Sequence, residues 1–255
     1  MPESTPRIAY QSQIIGATLT ASPATTEADG PVTALNSWRP WSFWRPTGGG
    51  PYTLTAVFAA SATITTASLA AHDATGAVTV ETWNGSAWIA WLSATAAGDG
   101  RVLYLTGEAR TTDRVRVTIA SLTHLAVLFV GSDLILPEGI APGWTDPVLA
   151  ARAEQRVERT RGGVWLGAAV ELWQAQLDLT LKSVTQEWAR DTWSPFLRQC
   201  STQPFLLSWY EAEWPNSGCL CTDAKFGSSA FSGRGFCDVS VSFDADTGLD
   251  RRALP

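Results

Sequence analysis

A chain of 255 residues, 45% hydrophobic and only 16% charged, has enough apolar mass for one large core or two modest ones. Its formal net charge is -6, it has only the lysines Lys182 and Lys225, and it has no basic run interleaved with aromatics, so nucleic acid is not expected as a partner. No run of about 18 apolar residues is present to span a bilayer, and MPESTPR lacks the charged-then-apolar pattern of a leader, so the expectation is no membrane partner and synthesis in the cytoplasm, where thiols stay reduced.

The first half reads as short strands punctuated by turn residues. Tyr52 to Phe58, Thr63 to Ala70, Ala77 to Trp83, Arg114 to Ile119 and Leu125 to Val130 alternate or run apolar with Thr and Val enrichment. Between them fall TGGGP at 47–51, HDATG at 72–76, NGS at 84–86 and GDG at 98–100. This spacing predicts an antiparallel sandwich. Residues 133–163 then change character: a proline-punctuated DLILPEGIAPGWTDP leads into a charged stretch, Asp146 to Arg161, without apolar periodicity, which predicts a linker or arm.

Beyond Gly162 and Gly163, Val164 to Leu172 and Gln174 to Val184 predict a hairpin, the second segment alternating through Leu177, Leu179 and Leu181. Trp193, Phe196, Leu197 and Cys200 stand at i, i+3, i+4 and i+7 of a helix, with Ser194-Pro195 placed to start or restart it. Three strands follow, Pro204 to Tyr210, Gly218 to Phe226 and Phe236 to Phe243. The thirteen tryptophans gather around these elements, as Trp38, Trp41 and Trp44, as Trp83, Trp88 and Trp91, and in the C-terminal part, and read equally as an aromatic wall for contacts or as core.

Enzyme signatures are nearly absent. The only histidines, His72 and His124, lie where a strand ends and where one begins and belong to no catalytic motif, so both read as structural. Glu211 with Glu213, and Asp244 with Asp246, read as solvated residues at strand ends rather than as an acid/base pair, and the glycines at 48–50 as a flexible turn rather than a phosphate loop. The four cysteines, Cys200, Cys219, Cys221 and Cys237, all fall in one C-terminal window. Four thiolates are a full ligand set for zinc or an iron–sulfur cluster, or two disulfides, and free cysteine is equally a favoured core residue. Cys219 and Cys221 share one face of a strand, which makes convergence of the four geometrically plausible; the absence of CxxC knuckles lowers the zinc reading.

Two resemblances add to this reading. GATLTASPATT, ALNSWRPWSFWRPTGG and LAAHDATGAVTVETWNGSAW, within roughly residues 8 to 136, resemble the discoidin-like or galactose-binding-like domain. That resemblance implies a jelly-roll-like β-sandwich whose loops at one end bind glycans or surfaces, with no sugar-contacting residue to carry over. GGVWLGAAVELWQAQLDLTLKSVTQEW, QPFLLSWYEAEWP and the closing GFCDVSVSF look like the belt domain of tailed-phage tail-tip and distal-tail proteins, of siphophages or gene transfer agents. This second resemblance implies a tail-tube-like β-sandwich with one flanking helix, assembled into rings; some siphophage tail-tip proteins hold a [4Fe-4S] cluster on four cysteines.

The sequence thus predicts a mainly β protein: a discoidin-like sandwich over residues 1–136, a linker or arm over 137–163, and a belt-like sandwich with a helix over 164–255. The expected function is that of a structural virion protein at the tail tip, forming a homo-oligomeric ring and contacting the tail tube, hub and fibre or receptor-binding proteins. Its outward domain would either touch cell-surface glycan or hold other tail-tip proteins, and no reaction is implied. A carbohydrate-binding adhesin or lectin is the alternative.

Overall fold

Alternation sets the first layer. In β3 (Tyr52–His72) the side chains of Leu54, Ala56 and Phe58 are buried while Thr53, Thr55 and Val57 face outward, and in β6 (Leu103–Ser121) Val115, Val117 and Ile119 are buried while Arg116 and Thr118 are not. β4 (Thr75–Trp83) lies against β6, and β5 (Trp88–Ala97) against β4; β2 (Thr18–Ser22) pairs with the start of β3. The structure, a computed structural model, describes residues 5–24, 26–137, 152–159, 161, 163–209, 218–227, 230–233, 235–246 and 248. Glu211, Glu213, Trp214 and residues 138–151 of the expected linker lie outside the described residues.

β3 is one strand where the sequence predicts two, because its register shifts between Val57 and Ala62 and again between Ile64 and Thr66. Such bulges bend a strand without ending it. Beyond them β3 pairs with β7 (Leu125–Ile135) on one side and with the start of β6 on the other, so the sheet turns back over itself. Leu54, Val78, Val80 and Val117 from the first layer meet Ala67, Leu69, Leu105, Leu128 and Val130 from the second. Each large side chain so enclosed contributes roughly 1.5–3 kcal/mol relative to exposure.

The two halves of the chain are joined by its first strand. β1 (Arg7–Ser12) pairs antiparallel with β7 on one edge and with β10 (Phe205–Ser208) on the other. The sheet therefore runs on through β10, β11 (Cys219–Phe226), β13 (Phe236–Asp246), β9 (Trp165–Thr185) and β8 (Arg152–Arg159), with β12 (Ala230–Gly233) also on β13. A bulge between Ala9 and Gln11 leaves the Tyr10 carbonyl free to accept from Gln199 Nε2 at 2.9 Å. Opposite it Gly131 has no room for a side chain, because a Cβ would collide with the Gln11 carbonyl.

The expected hairpin over 164–184 is instead the single strand β9. Its first part pairs with β8, down to Arg152 opposite Gln174, and its second with β13, from Ala175 opposite Ala245 onward. Between Gln174 and Ala175 the chain changes partner, not direction, and the strand runs unbroken through Trp173, where the turn was expected. β8 likewise occupies sequence expected to be connector.

One face of this extension carries Leu177, Leu179, Leu181, Val239, Val241, Phe243, Phe205 and Leu207, and a helical segment covers it. That segment runs through α1 (Gln186–Trp188), a π-helical turn (Ala189–Trp193) and α2 (Ser194–Cys200). Thr185 caps it by accepting from Trp188 N–H at 3.2 Å. The wide turn falls just before Pro195, which has no N–H to donate to the preceding turn. Trp193, Phe196 and Cys200 point inward as the spacing predicts, and Phe196 continues edge-to-face through Phe205 to Phe243 at centroid distances of 5.2 and 5.3 Å. The fold is thus mainly β, a sandwich with one short helical segment. Among the described residues the C-terminal strands make one layer under a helix rather than a second sandwich, and no helix is long and apolar enough to cross a membrane.

Candidate functional site

The segment from Trp38 to Pro46 is anchored by one buried residue. Trp44 is fully buried and packs edge-to-face on Tyr52 with ring centroids 6.1 Å apart. Its backbone pairs with Leu125 in both directions, Trp44 N–H to Leu125 O at 2.8 Å and Leu125 N–H to Trp44 O at 3.0 Å. In extended backbone the neighbours of an inward residue face outward, so Phe43 and Arg45 both emerge beside the start of β7. There Phe43 meets His124 edge-on at 5.0 Å, and the Arg45 guanidinium sits 5.8 Å from the Phe43 ring centre.

Arg45 is held from two directions. Its Nη1 lies 3.5 Å from Glu27 and 3.4 Å from Asp29, while its backbone N–H donates to Gly30 O at 3.0 Å and its carbonyl accepts from Glu27 N–H at 2.9 Å. The result is an open cleft of about 340 Å³ lined by Glu27, Phe43, Arg45, Thr123 and His124.

The far wall of the cleft rests on Asp73, at the β3–β4 turn. Its carboxylate accepts from Thr123 N–H at 2.9 Å, from His124 N–H at 3.0 Å and from the Thr123 hydroxyl, and lies 3.6 Å from His124 Nδ1. Burial alone would raise this carboxyl, but the hydrogen bonds from Thr123 and His124 outweigh it and the net direction is down. Beneath, His72 is 3% exposed, and burial pushes it down to about 4 despite the nearby Asp73 charge. Its Nδ1 accepts from Ala74 N–H at 3.1 Å, so the neutral ring carries its proton on Nε2.

The cysteine window behaves differently from a site. Cys200, Cys219, Cys221 and Cys237 all lie in the core under the helix, and all are free thiols. Cys219 and Cys221 sulfurs lie 3.5 Å apart, yet among the described residues no group of three or more His, Cys, Asp or Glu is placed to hold a metal ion. Burial pushes the Cys200 and Cys221 thiols up, away from the thiolate that a metal needs. The [4Fe-4S] expectation is corrected accordingly: one strand face and a helix end bring these residues into one apolar cluster without converging them as ligands. Disulfides are likewise not formed.

The other expected residues divide clearly. Trp38, Trp193 and Trp209 are core, Trp83 and Trp88 pair at 5.3 Å across the β4–β5 hairpin, and Trp41 is 74% exposed beside the cleft. His72 is structural, as its sequence context predicts, whereas His124 lines the cleft. Glu27, Phe43, Arg45 and Asp73 carry no sequence signal of their own; the one available hint is the alternation in SFWRP around Trp44.

No protein-family model matches the chain, and no curated protein does. Among solved structures it is similar to the Clostridium perfringens module CpGH89CBM32-5, in complex with GalNAc-beta-1,3-galactose, at 12% identity and TM-score 0.43 over 48% of this chain and 99% of that one. It is similar to chitosan-binding module 1 of the Paenibacillus sp. IK-5 chitosanase/glucanase, at 22% identity and TM-score 0.41 over 47% and 98%. A Ruminococcus gnavus GH29 fucosidase in complex with fucose gives 9% identity and TM-score 0.42 over 49% of this chain but 28% of that enzyme. Likenesses of this strength name no family. These three structures are two sugar-binding modules and a glycosidase, each matched over about half of this chain, and among the described residues the C-terminal strands continue the N-terminal sheet instead of forming a separate sandwich. The tail-tip expectation, with its ring, tube, hub and fibre partners, is corrected on both counts.

Proposed function

We propose that this protein binds carbohydrate through the cleft of Glu27, Phe43, Arg45, Thr123 and His124, as a recognition module without a chemical step. The observation that carries the reading is the arrangement around Phe43: an apolar ring flanked by an anchored arginine, a carboxylate, a hydroxyl and an imidazole. A sugar ring has an apolar C–H face and a rim of hydroxyls that both donate and accept, and these groups answer both parts. Arg45 donates, Glu27 accepts, and Thr123 does either. The cleft volume lies at the lower end of the roughly 300–1,000 Å³ that small-molecule sites occupy.

A hexose has about 12 non-hydrogen atoms, and at roughly 0.3 kcal/mol per atom it binds with about 3.6 kcal/mol, a Kd of millimolar order. Galactose, fucose and glucosamine are the first probes, by calorimetry or ligand-observed NMR, followed by a glycan array. Saturable binding by the native protein, lost in Phe43→Ala and weakened at least tenfold in Arg45→Ala, is the expected result. Absence of retention of any sugar by the native protein sinks the reading.

A further inference from the structure

A second cleft of about 280 Å³ adjoins the first and is lined by Asp29, Arg39, Trp41, Ser42, Phe43 and Arg45. The two share Phe43 and Arg45, which stand as a ridge between them. Resting on the sugar-binding reading above, we infer that the site takes a glycan of at least two linked rings, one in each cleft, rather than a single terminal sugar.

The ridge is built for a junction. Arg45 Nη1 is shared between Glu27 at 3.5 Å, in the first cleft, and Asp29 at 3.4 Å, in the second. A guanidinium carries five N–H donors in a fixed fork, so donors remain for oxygens on either side, including the bridging oxygen between two sugar rings. The clefts also differ in kind. The first offers a dense set of polar groups about a partly buried ring. The second offers Trp41, an indole 74% exposed at the tip of a tight turn closed by Ser42 N–H donating to Arg39 O at 3.0 Å. An indole so exposed has no core role, and a large rigid ring beside a polar cleft supplies stacking area at low entropy cost. The first cleft thus reads the hydroxyl pattern of one unit, and the second holds its neighbour by the flat C–H face, with Arg39 and Asp29 at the rim.

The test compares one ring with two on the intact protein: galactose against lactose, and glucosamine against chitobiose and chitotriose, by calorimetry in parallel. The expected result is that, for the sugar the protein binds, the two-ring ligand binds about ten to a hundred times more tightly than the single ring. Trp41→Ala collapses that ratio to near one. Equal affinity for one ring and two in the native protein, or a ratio untouched by Trp41→Ala, overturns the two-cleft inference while leaving sugar binding intact. Failure of every sugar, one ring or two, removes the sugar-binding reading itself. The exposure of Trp41 makes loss of fold in the variant a minor concern, and an unchanged thermal midpoint verifies it.

Discussion

Acidification should weaken the wall beneath the cleft from about pH 6.5 downward, and His72 is the reason. The neutral ring accepts the Ala74 N–H on Nδ1 at 3.1 Å, and its Nε2–H faces the backbone of Arg101 without completing a bond. Adding a proton to Nδ1 sets two donors against each other in a site 3% exposed, and burial lowers the folded value to about 4 from an ordinary 6.5. A lowered value means the unfolded chain takes up the proton first. Stability is therefore complete above pH 6.5 and is lost at about 1.4 kcal/mol per pH unit as pH falls toward 4. From pH 7 to 5 the loss is about 2 kcal/mol, and by pH 4 about 3 kcal/mol. Asp73 is itself held below its ordinary value, so its contribution disappears only in the more acidic range. Urea unfolding followed by tryptophan fluorescence at pH 7, 6 and 5 measures the slope. His72→Asn, whose Oδ1 can accept from Ala74 at every pH, provides the comparison. A native protein with the same pH dependence as His72→Asn refutes the argument.

Three further outcomes follow from the same geometry. Asp73→Ala removes the acceptor for Thr123 and His124, and should cost about 1–3 kcal/mol of stability and weaken sugar binding several-fold, measured by urea titration and calorimetry. Gly131→Ala forces a methyl against the Gln11 carbonyl at the β1–β7 seam and should cost about 1–3 kcal/mol; an unchanged urea midpoint would show that β1 can shift freely there. Cys200, Cys219, Cys221 and Cys237 are buried, so a disulfide thiol reagent should find no reactive thiol in the folded protein and four in denaturant; prompt labelling of the folded protein contradicts their placement.

Where pattern and burial act locally, the sequence was readable. The alternation of β13 places Cys237, Val239, Val241 and Phe243 in the core, and the spacing of Trp193, Phe196 and Cys200 defines the inward face of the helix. Partner choice is a different matter. Nothing in RIAYQS indicates that β1 bridges β7 and β10, because pairing across more than a hundred residues depends on which edges are left open. β9 misled for the same reason: alternation slips where its partner changes from β8 to β13, and a slip in pattern resembles a turn. The cysteines share a core without sharing a point, since strand spacing fixes a face but not a convergence. The cleft was the least legible part. Glu27, Phe43, Asp73 and His124 come from separate loops, and each is unremarkable until the Trp44–Leu125 pairing gathers them.

That pairing also bears on how strongly so small a cleft can bind. Ordering a loop at the moment of binding costs conformational entropy for every residue fixed, roughly 1–2 kcal/mol each for the backbone alone. A millimolar sugar site has only about 4 kcal/mol in total, so it could not survive the ordering of even a few residues. Here the cost is met on folding: Trp44 is locked into the core and paired to Leu125, the Arg45 backbone is bonded to Gly30 and Glu27, and Thr123 and His124 hang from Asp73. A cleft whose walls are fixed before the ligand arrives keeps nearly all of its modest contact energy as affinity. Loosening Asp73 should therefore reduce affinity although that carboxylate, occupied by Thr123 and His124, has no need to touch the sugar.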